Sequence, residues 1–144
     1  MFVEETKLII HTDGGSRGNP GPAACAFEAR FNGKSIGEGS LFLGNKTNNI
    51  AEYEGVILAL NWFSKNKYKK SISQVVFVLD SELVVRQLTG VYKIKNIELQ
   101  ERASKIKMMI EDLKLDVAFK NVPREKNKVA DKLLNEELDR DFSG

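Results

Sequence analysis

Asp13, Glu52, Asp80 and Asp131 are the residues whose types and positions could carry chemistry in this sequence. Asp13 closes the run Lys7-Leu8-Ile9-Ile10-His11-Thr12 and precedes Gly14-Gly15; Asp80 closes Val75-Val76-Phe77-Val78-Leu79 and precedes Ser81. A carboxylate at the end of a buried strand is costly unless something cationic neutralises it. Two such strand ends side by side would form an oxygen-rich pocket suited to Mg²⁺. Glu52 and Asp131 fall about one turn inside two predicted helices. Four acids converging in this way would support metal-dependent cleavage of a phosphodiester, and without metal their repulsion would keep at least one protonated.

The elements that must position these acids follow from local pattern. Residues 7–13 read as a strand whose near-continuous apolar character predicts burial on both faces. Gly14 to Pro22 carries four glycines and two prolines in nine positions and reads as a turn. Strands at about 23–31 and 35–43 flank Asn32-Gly33, a hairpin signal, and should pair antiparallel. Thr47-Asn48-Asn49 offers capping side chains for a helix to about residue 63, whose apolar residues cover a wide arc. A strand at 74–79, a short helix at 81–89 stopped by Gly90, an amphipathic helix at 96–113, a strand at 115–121 and a last helix at 127–140 complete the chain. The order β-β-β-α-β-α-α-β-α predicts an α/β fold with a five-stranded mixed sheet. Strands 1 to 3 form an antiparallel meander and strands 4 and 5 add in parallel through helical crossovers. Asp13 and Asp80 then sit beyond carboxyl ends of parallel strands, where ligands of open α/β sheets gather.

Composition bounds the rest. At 144 residues, 42% hydrophobic and 29% charged, residues 1–144 are expected to form a single domain. The 22 basic and 20 acidic residues nearly cancel, so the net charge of +2 permits a nucleic-acid partner without arguing for one. The single cysteine, Cys25, excludes an internal disulfide and reads as a buried thiol. Met1-Phe2-Val3-Glu4-Glu5 has acids where a signal peptide would carry positive charge, and no run reaches membrane-span length. A cytoplasmic monomer away from membranes is the expectation.

Three stretches together resemble type 1 ribonuclease H: Thr12-Asp13-Gly14-Gly15-Ser16-Arg17-Gly18-Asn19-Pro20-Gly21-Pro22, Thr47-Asn48-Asn49-Ile50-Ala51-Glu52, and Leu79-Asp80-Ser81. Asp131, within Asn127-Lys128-Val129-Ala130-Asp131, completes that family's four-carboxylate set. The resemblance spans essentially the whole chain and implies a five-stranded mixed sheet flanked by helices. It implies endonucleolytic hydrolysis of the RNA strand of an RNA–DNA hybrid with two Mg²⁺ or Mn²⁺ ions, leaving 5′-phosphate and 3′-hydroxyl ends. Asp13 would bridge both ions, Glu52 and Asp80 would complete the ion facing the leaving group, and Asp131 the ion carrying the attacking water.

The remaining site residues concern the substrate. Detecting a 2′-hydroxyl needs groups that donate and accept hydrogen bonds; Asn48 and Asn49 before the Glu52 helix and Gly15, Ser16 and Asn19 after Asp13 suit this, and Ser81 is a further substrate-binding candidate. Thr47 and Asn19 resemble the residues that hold a DNA-strand phosphate in the family, and one of Thr47, Asn48 and Asn49 should also cap the helix. The loop before Asp131 lacks the histidine that many members carry there. Arg124 could order the scissile phosphate or help product leave, but could hardly take a proton; the alternative is a surface salt bridge with Glu125. The only histidine, His11, reads as a packed or partly exposed strand residue, and Trp62 as core. The lysine- and tryptophan-rich helix that many members insert after the third acid's helix is missing, leaving Tyr92, Lys93 and Lys95 as a reduced contact to the DNA strand. Lys65, Lys67, Lys69 and Lys70 read as a solvated cluster at a helix end. Position 82 is Glu where the family often has Gln. The alternatives are the same fold cutting DNA in the manner of integrases and resolvases, additional cleavage of double-stranded RNA, a non-catalytic hybrid-binding module, and a flavodoxin-like phosphate binder.

Overall fold

A computed structural model describes residues 7–142. Met1-Phe2-Val3-Glu4-Glu5, whose acids speak against a signal peptide, lies outside the described residues. The strands are β1 (Lys7–Ser16), β2 (Gly21–Phe31), β3 (Lys34–Lys46), β4 (Gln74–Leu79) and β5 (Asp116–Asn121). The helices are α1 (Asn48–Ser64), α2 (Glu82–Leu88), α3 (Ile97–Leu113) and α4 (Lys128–Phe142), with single 3₁₀ turns at Lys69–Ser71 and Arg124–Lys126. The sheet order is β3-β2-β1-β4-β5. β1, β2 and β3 pair antiparallel, and β4 runs parallel to both β1 and β5. This is the mixed α/β sheet that the element order predicts.

The layers follow from side-chain alternation. Leu8 and Ile10 of β1 and Phe27 and Ala29 of β2 join one core with Tyr53, Val56, Leu60 and Phe63 of α1 and Leu99 and Ile106 of α3. Beneath the sheet, Leu134 and Leu138 of α4 pack on Ala24 and Ala26, whose small side chains let the helix come close. β1 is not buried on both faces as its apolar run predicts. Lys7, Ile9 and His11 are only half-buried, because Leu134 and Leu138 of α4 pack on Ala24 and Ala26, opposite Gly15 and Asp13 at the other end of β1. The Asn32-Gly33 turn has positive φ at both residues, 51° and 79°, which is the geometry a two-residue hairpin needs. Cys25 is fully buried, and burial pushes its thiol pKa up, so it stays protonated. Trp62 is half-buried and packs on Phe27, with ring centroids 5.3 Å apart. No helix of the described residues is long and apolar enough to cross a membrane.

The glycine-rich stretch departs from expectation in an informative way. β1 continues to Ser16 and β2 begins at Gly21, so only residues 17–20 form the loop. Gly14 is therefore a strand residue, opposite Cys25. A Cβ there would lie 2.2 Å from the backbone of Ala51 and 2.4 Å from the nitrogen of Glu52. Its glycine serves close approach of α1 to β1 rather than a turn. That approach brings Glu52 against Asp13.

Candidate active site

Asp13 and Asp80 meet through register. β1 pairs with β4 up to His11↔Val78, so two residues further along each strand Asp13 lies alongside Asp80. The end of β4 is held by β5, where the Val122 N–H donates to the Leu79 carbonyl at 2.9 Å and Asn121 Nδ2 to the same oxygen at 3.3 Å. Glu52 arrives from α1, whose first turn is capped by Thr47, its Oγ1 accepting from the Ile50 N–H at 3.2 Å. Carboxylate oxygens of Asp13, Glu52 and Asp80 all lie within 4.8 Å of one another. Asp131, one turn into α4, faces the same cleft, and Asn135 Nδ2 donates to its backbone oxygen at 2.9 Å and to its Oδ1 at 3.3 Å.

The electrostatics of this cluster are strained without a cation. Burial, then the neighbouring Asp80, push the Asp13 carboxyl from its ordinary 3.8 up to about 7, against a hydrogen bond from the Gly14 N–H at 2.9 Å. Glu52, 7% exposed, is held well above its ordinary 4.5, first by burial and then by repulsion from Asp13 and Asp80. Its Oε2 is buried with no hydrogen-bond partner. An orphaned buried carboxylate oxygen beside two further carboxylates is a donor set for a hard divalent cation. The residues present fit such an ion.

A polar rim surrounds the acids in an open cleft of about 470 Å³, lined by Gly15, Ser16, Asn48, Asn49, Ser81 and Arg124 among others. Asn48 Oδ1 accepts from the Ser16 N–H at 2.8 Å and from Ser16 Oγ at 3.1 Å, and the Asn48 N–H donates to Asn19 Oδ1 at 3.0 Å. The Ser16 hydroxyl shares its one proton between Asn48 Oδ1 and the Gly18 carbonyl. These bonds clip the β1–β2 loop to the start of α1, with the amide NH₂ of Asn48 uncommitted among the described residues. Ser81 caps α2, its Oγ accepting from the Val84 N–H at 3.3 Å. Arg124 is exposed on the 3₁₀ turn before α4 and makes no ion pair among the described residues; the alternative bridge to Glu125 is not formed.

Not every candidate converges. Tyr92, Lys93 and Lys95 lie on the exposed segment between α2 and α3 and do not line the carboxylate cleft. Tyr92 is held there by its N–H donating to the Arg86 carbonyl at 2.9 Å, with the Arg86 guanidinium 5.4 Å over its ring. Glu82 is tied to Arg86 at 2.8 Å. His11 faces a separate cleft with Glu28 and Arg30, and burial lowers its pKa. Lys69 binds the Ser64 carbonyl at 3.1 Å and Lys67 sits over Tyr68, as a solvated helix-end cluster would. The residue that sequence reasoning passed over is Asn127, buried at 1% exposure against the acids. Its only sequence signal is an asparagine at a helix start four residues before Asp131.

Residues 12–137 match the family model described as reverse transcriptase-like. A ribonuclease H1 recovered from compost, solved in complex with an RNA/DNA hybrid, superimposes with a TM-score of 0.89 at 41% identity, covering 94% of this chain and 99% of that one. The chain belongs to the type 1 ribonuclease H family. The ribonuclease H1 of Halobacterium salinarum superimposes with a TM-score of 0.85 at 33% identity, covering 93% of this chain and 98% of that one. A bifunctional protein of Mycobacterium tuberculosis is 35% identical over 141 residues, covering 92% of this chain, which spans only 36% of that relative's length. Ribonucleases H are metal-dependent, and the Asp13–Glu52–Asp80 triad supplies the acidic cluster that such dependence needs.

Proposed function

We propose that this ribonuclease H domain, a single catalytic unit over residues 1–144, hydrolyses the RNA strand of RNA–DNA hybrids and leaves 5′-phosphate and 3′-hydroxyl ends. The observation that carries this reading is the meeting of three carboxylates from β1, α1 and the end of β4 within 4.8 Å, with burial and mutual repulsion raising the pKa of Asp13 and Glu52. Likeness to a ribonuclease H1 bound to an RNA/DNA hybrid supports the choice of substrate. Asp13, Glu52, Asp80 and Asp131 would hold two divalent ions, Mg²⁺ by preference and Mn²⁺ as a substitute. Bound there, such ions would activate water and steady the departing 3′-oxygen.

The protein's own groups supply orientation. Asn48, fixed by Ser16 and Asn19, lines the cleft with Asn49, and their amides would bond the 2′-hydroxyls of the RNA strand. Gly15 and Ser16 present backbone at the same rim, and Ser81 adds a hydroxyl. Asn19 and Thr47, which do not line the cleft, would receive a phosphate of the DNA strand at its margin. Arg124, permanently charged and without an ion pair among the described residues, would order the scissile phosphate and draw the product's new 5′-phosphate away. Tyr92, Lys93 and Lys95 form at most an outlying contact to the hybrid. Action as a cytoplasmic monomer belongs to the same reading.

The test is an assay with Mg²⁺ and end-labelled RNA–DNA hybrid, DNA duplex and RNA duplex, run beside Asp13→Asn. Cutting of the RNA strand, confined to the hybrid and abolished by the substitution, is the expected result. DNA cutting would move the protein to the recombination class of this fold, and metal-dependent binding without cutting would make it a hybrid-binding module.

A further inference from the structure

Asn127 joins every element that carries an acid of the site except α1. Its Nδ2 donates to the Thr12 carbonyl at 2.9 Å, on the peptide that leads into Asp13, and to Asp80 Oδ2 at 3.3 Å. Both partners only accept, so the amide must present its NH₂ to them; the reverse orientation would set oxygen against oxygen. The Asn127 N–H donates to the Arg124 carbonyl at 2.9 Å, closing the turn that carries the arginine. Its own carbonyl accepts from the Asp131 N–H at 3.2 Å, in the first turn of α4. The cost is an Oδ1 that is buried and accepts no hydrogen bond. The two bonds that Nδ2 donates tie the end of β1 to Asp80, so the side chain does more than fill space.

We infer that Asn127 is a positioning residue that sets the spacing of the acidic cradle before any ion arrives. Asp80 is half-buried and repelled by Asp13 and Glu52. Among the described residues, Asn127 supplies the hydrogen bond that the Asp80 carboxylate accepts. The same side chain fixes the start of α4, and hence Asp131, relative to the end of β1. A cradle held in this way binds divalent ions with less rearrangement, and the gain is read as affinity. The inference rests on the reading of these acids as metal ligands.

The experiment compares the parent with Asn127→Leu, which keeps the shape and removes the donor, and with Asn127→Ala. Ion affinity is measured with Mn²⁺ by calorimetry in the absence of nucleic acid. Hybrid cleavage is measured in parallel, each protein being held below its own unfolding midpoint. The expected result is a fall of roughly 10- to 100-fold in Mn²⁺ affinity and in kcat, with KM for the hybrid within about threefold of the parent. Asn127→Leu should fold at least as well as Asn127→Ala. Folded variants that bind Mn²⁺ and turn over as the parent does would overturn the inference, as would failure of both variants to fold at any temperature, which would make the residue purely structural. A parent that binds Mn²⁺ but cuts no hybrid would instead overturn the proposed function, leaving the calorimetry to decide the role of Asn127.

Discussion

Asp13 is the residue whose removal should have opposite effects on stability and activity. Its folded pKa of about 7 lies above the ordinary 3.8, so the metal-free folded protein holds a proton that the unfolded chain releases. Stability from this group is fully present below 3.8 and is lost as pH rises through about 7. Glu52 is pushed in the same direction. Thermal unfolding in chelator should therefore show a midpoint that falls as pH rises across that window, and Mg²⁺ should restore it at neutral pH. Asp13→Asn should flatten the dependence and raise the metal-free midpoint at neutral pH while abolishing cleavage. An unchanged pH profile in the variant would contradict the assignment. Arg124 acts at the same level: Arg124→Ala should lower kcat on the order of tenfold, less than the loss of a donor aimed directly at developing charge, with KM little changed. Arg124→Lys should recover part of the loss, since charge survives but the planar fork does not. Steady-state kinetics on the hybrid would separate these outcomes.

Among the secondary-structure elements, the contact between α1 and β1 governs the site. Gly14→Ala would drive a methyl into the backbone of Ala51, 2.2 Å away. Backbone cannot rotate aside as a side-chain tip can, so overpacking of about 1–3 kcal/mol or more is expected. The helix can only relieve it by withdrawing, which would carry Glu52 from Asp13. Gly14→Ala should accordingly lower the unfolding midpoint and lose activity together, read by calorimetric melting and the hybrid assay. The cap of the same helix offers a milder change. Thr47→Ala removes the bond to the Ile50 N–H and should cost about 1 kcal/mol, visible in denaturant unfolding. The glycine pattern around Gly14 is legible in the chain as a break in side-chain size. What it signals is not legible, because a turn and a close helix approach both demand the missing Cβ.

Over the full surface of the protein, charge is nearly balanced, at 22 basic and 20 acidic residues. The basic residues after α2 stand away from the carboxylate cleft. With no dedicated cationic insertion, hybrid affinity should be weak and fall steeply between low and physiological salt, each neutralised phosphate adding about −0.9 to the logarithmic slope on a duplex. A filter-binding salt titration measures this directly, and a flat response would reject a backbone-phosphate mode of binding.

The order of strands and helices, the Asn32-Gly33 hairpin, the capping chemistry of Thr47-Asn48-Asn49 and the candidacy of four acids near element ends are all written locally in the chain. They rest on periodicity, turn chemistry and capping, which act between residues a few positions apart. Other features exist only once the chain is folded. They are the alignment of Asp13 beside Asp80 through the β1–β4 register, the seating of α1 on Gly14, the exclusion of Tyr92, Lys93 and Lys95 from the cleft, and the burial of Asn127 against a strand 115 positions away. Register and packing depend on groups distant along the backbone, and no local pattern encodes which of them will touch.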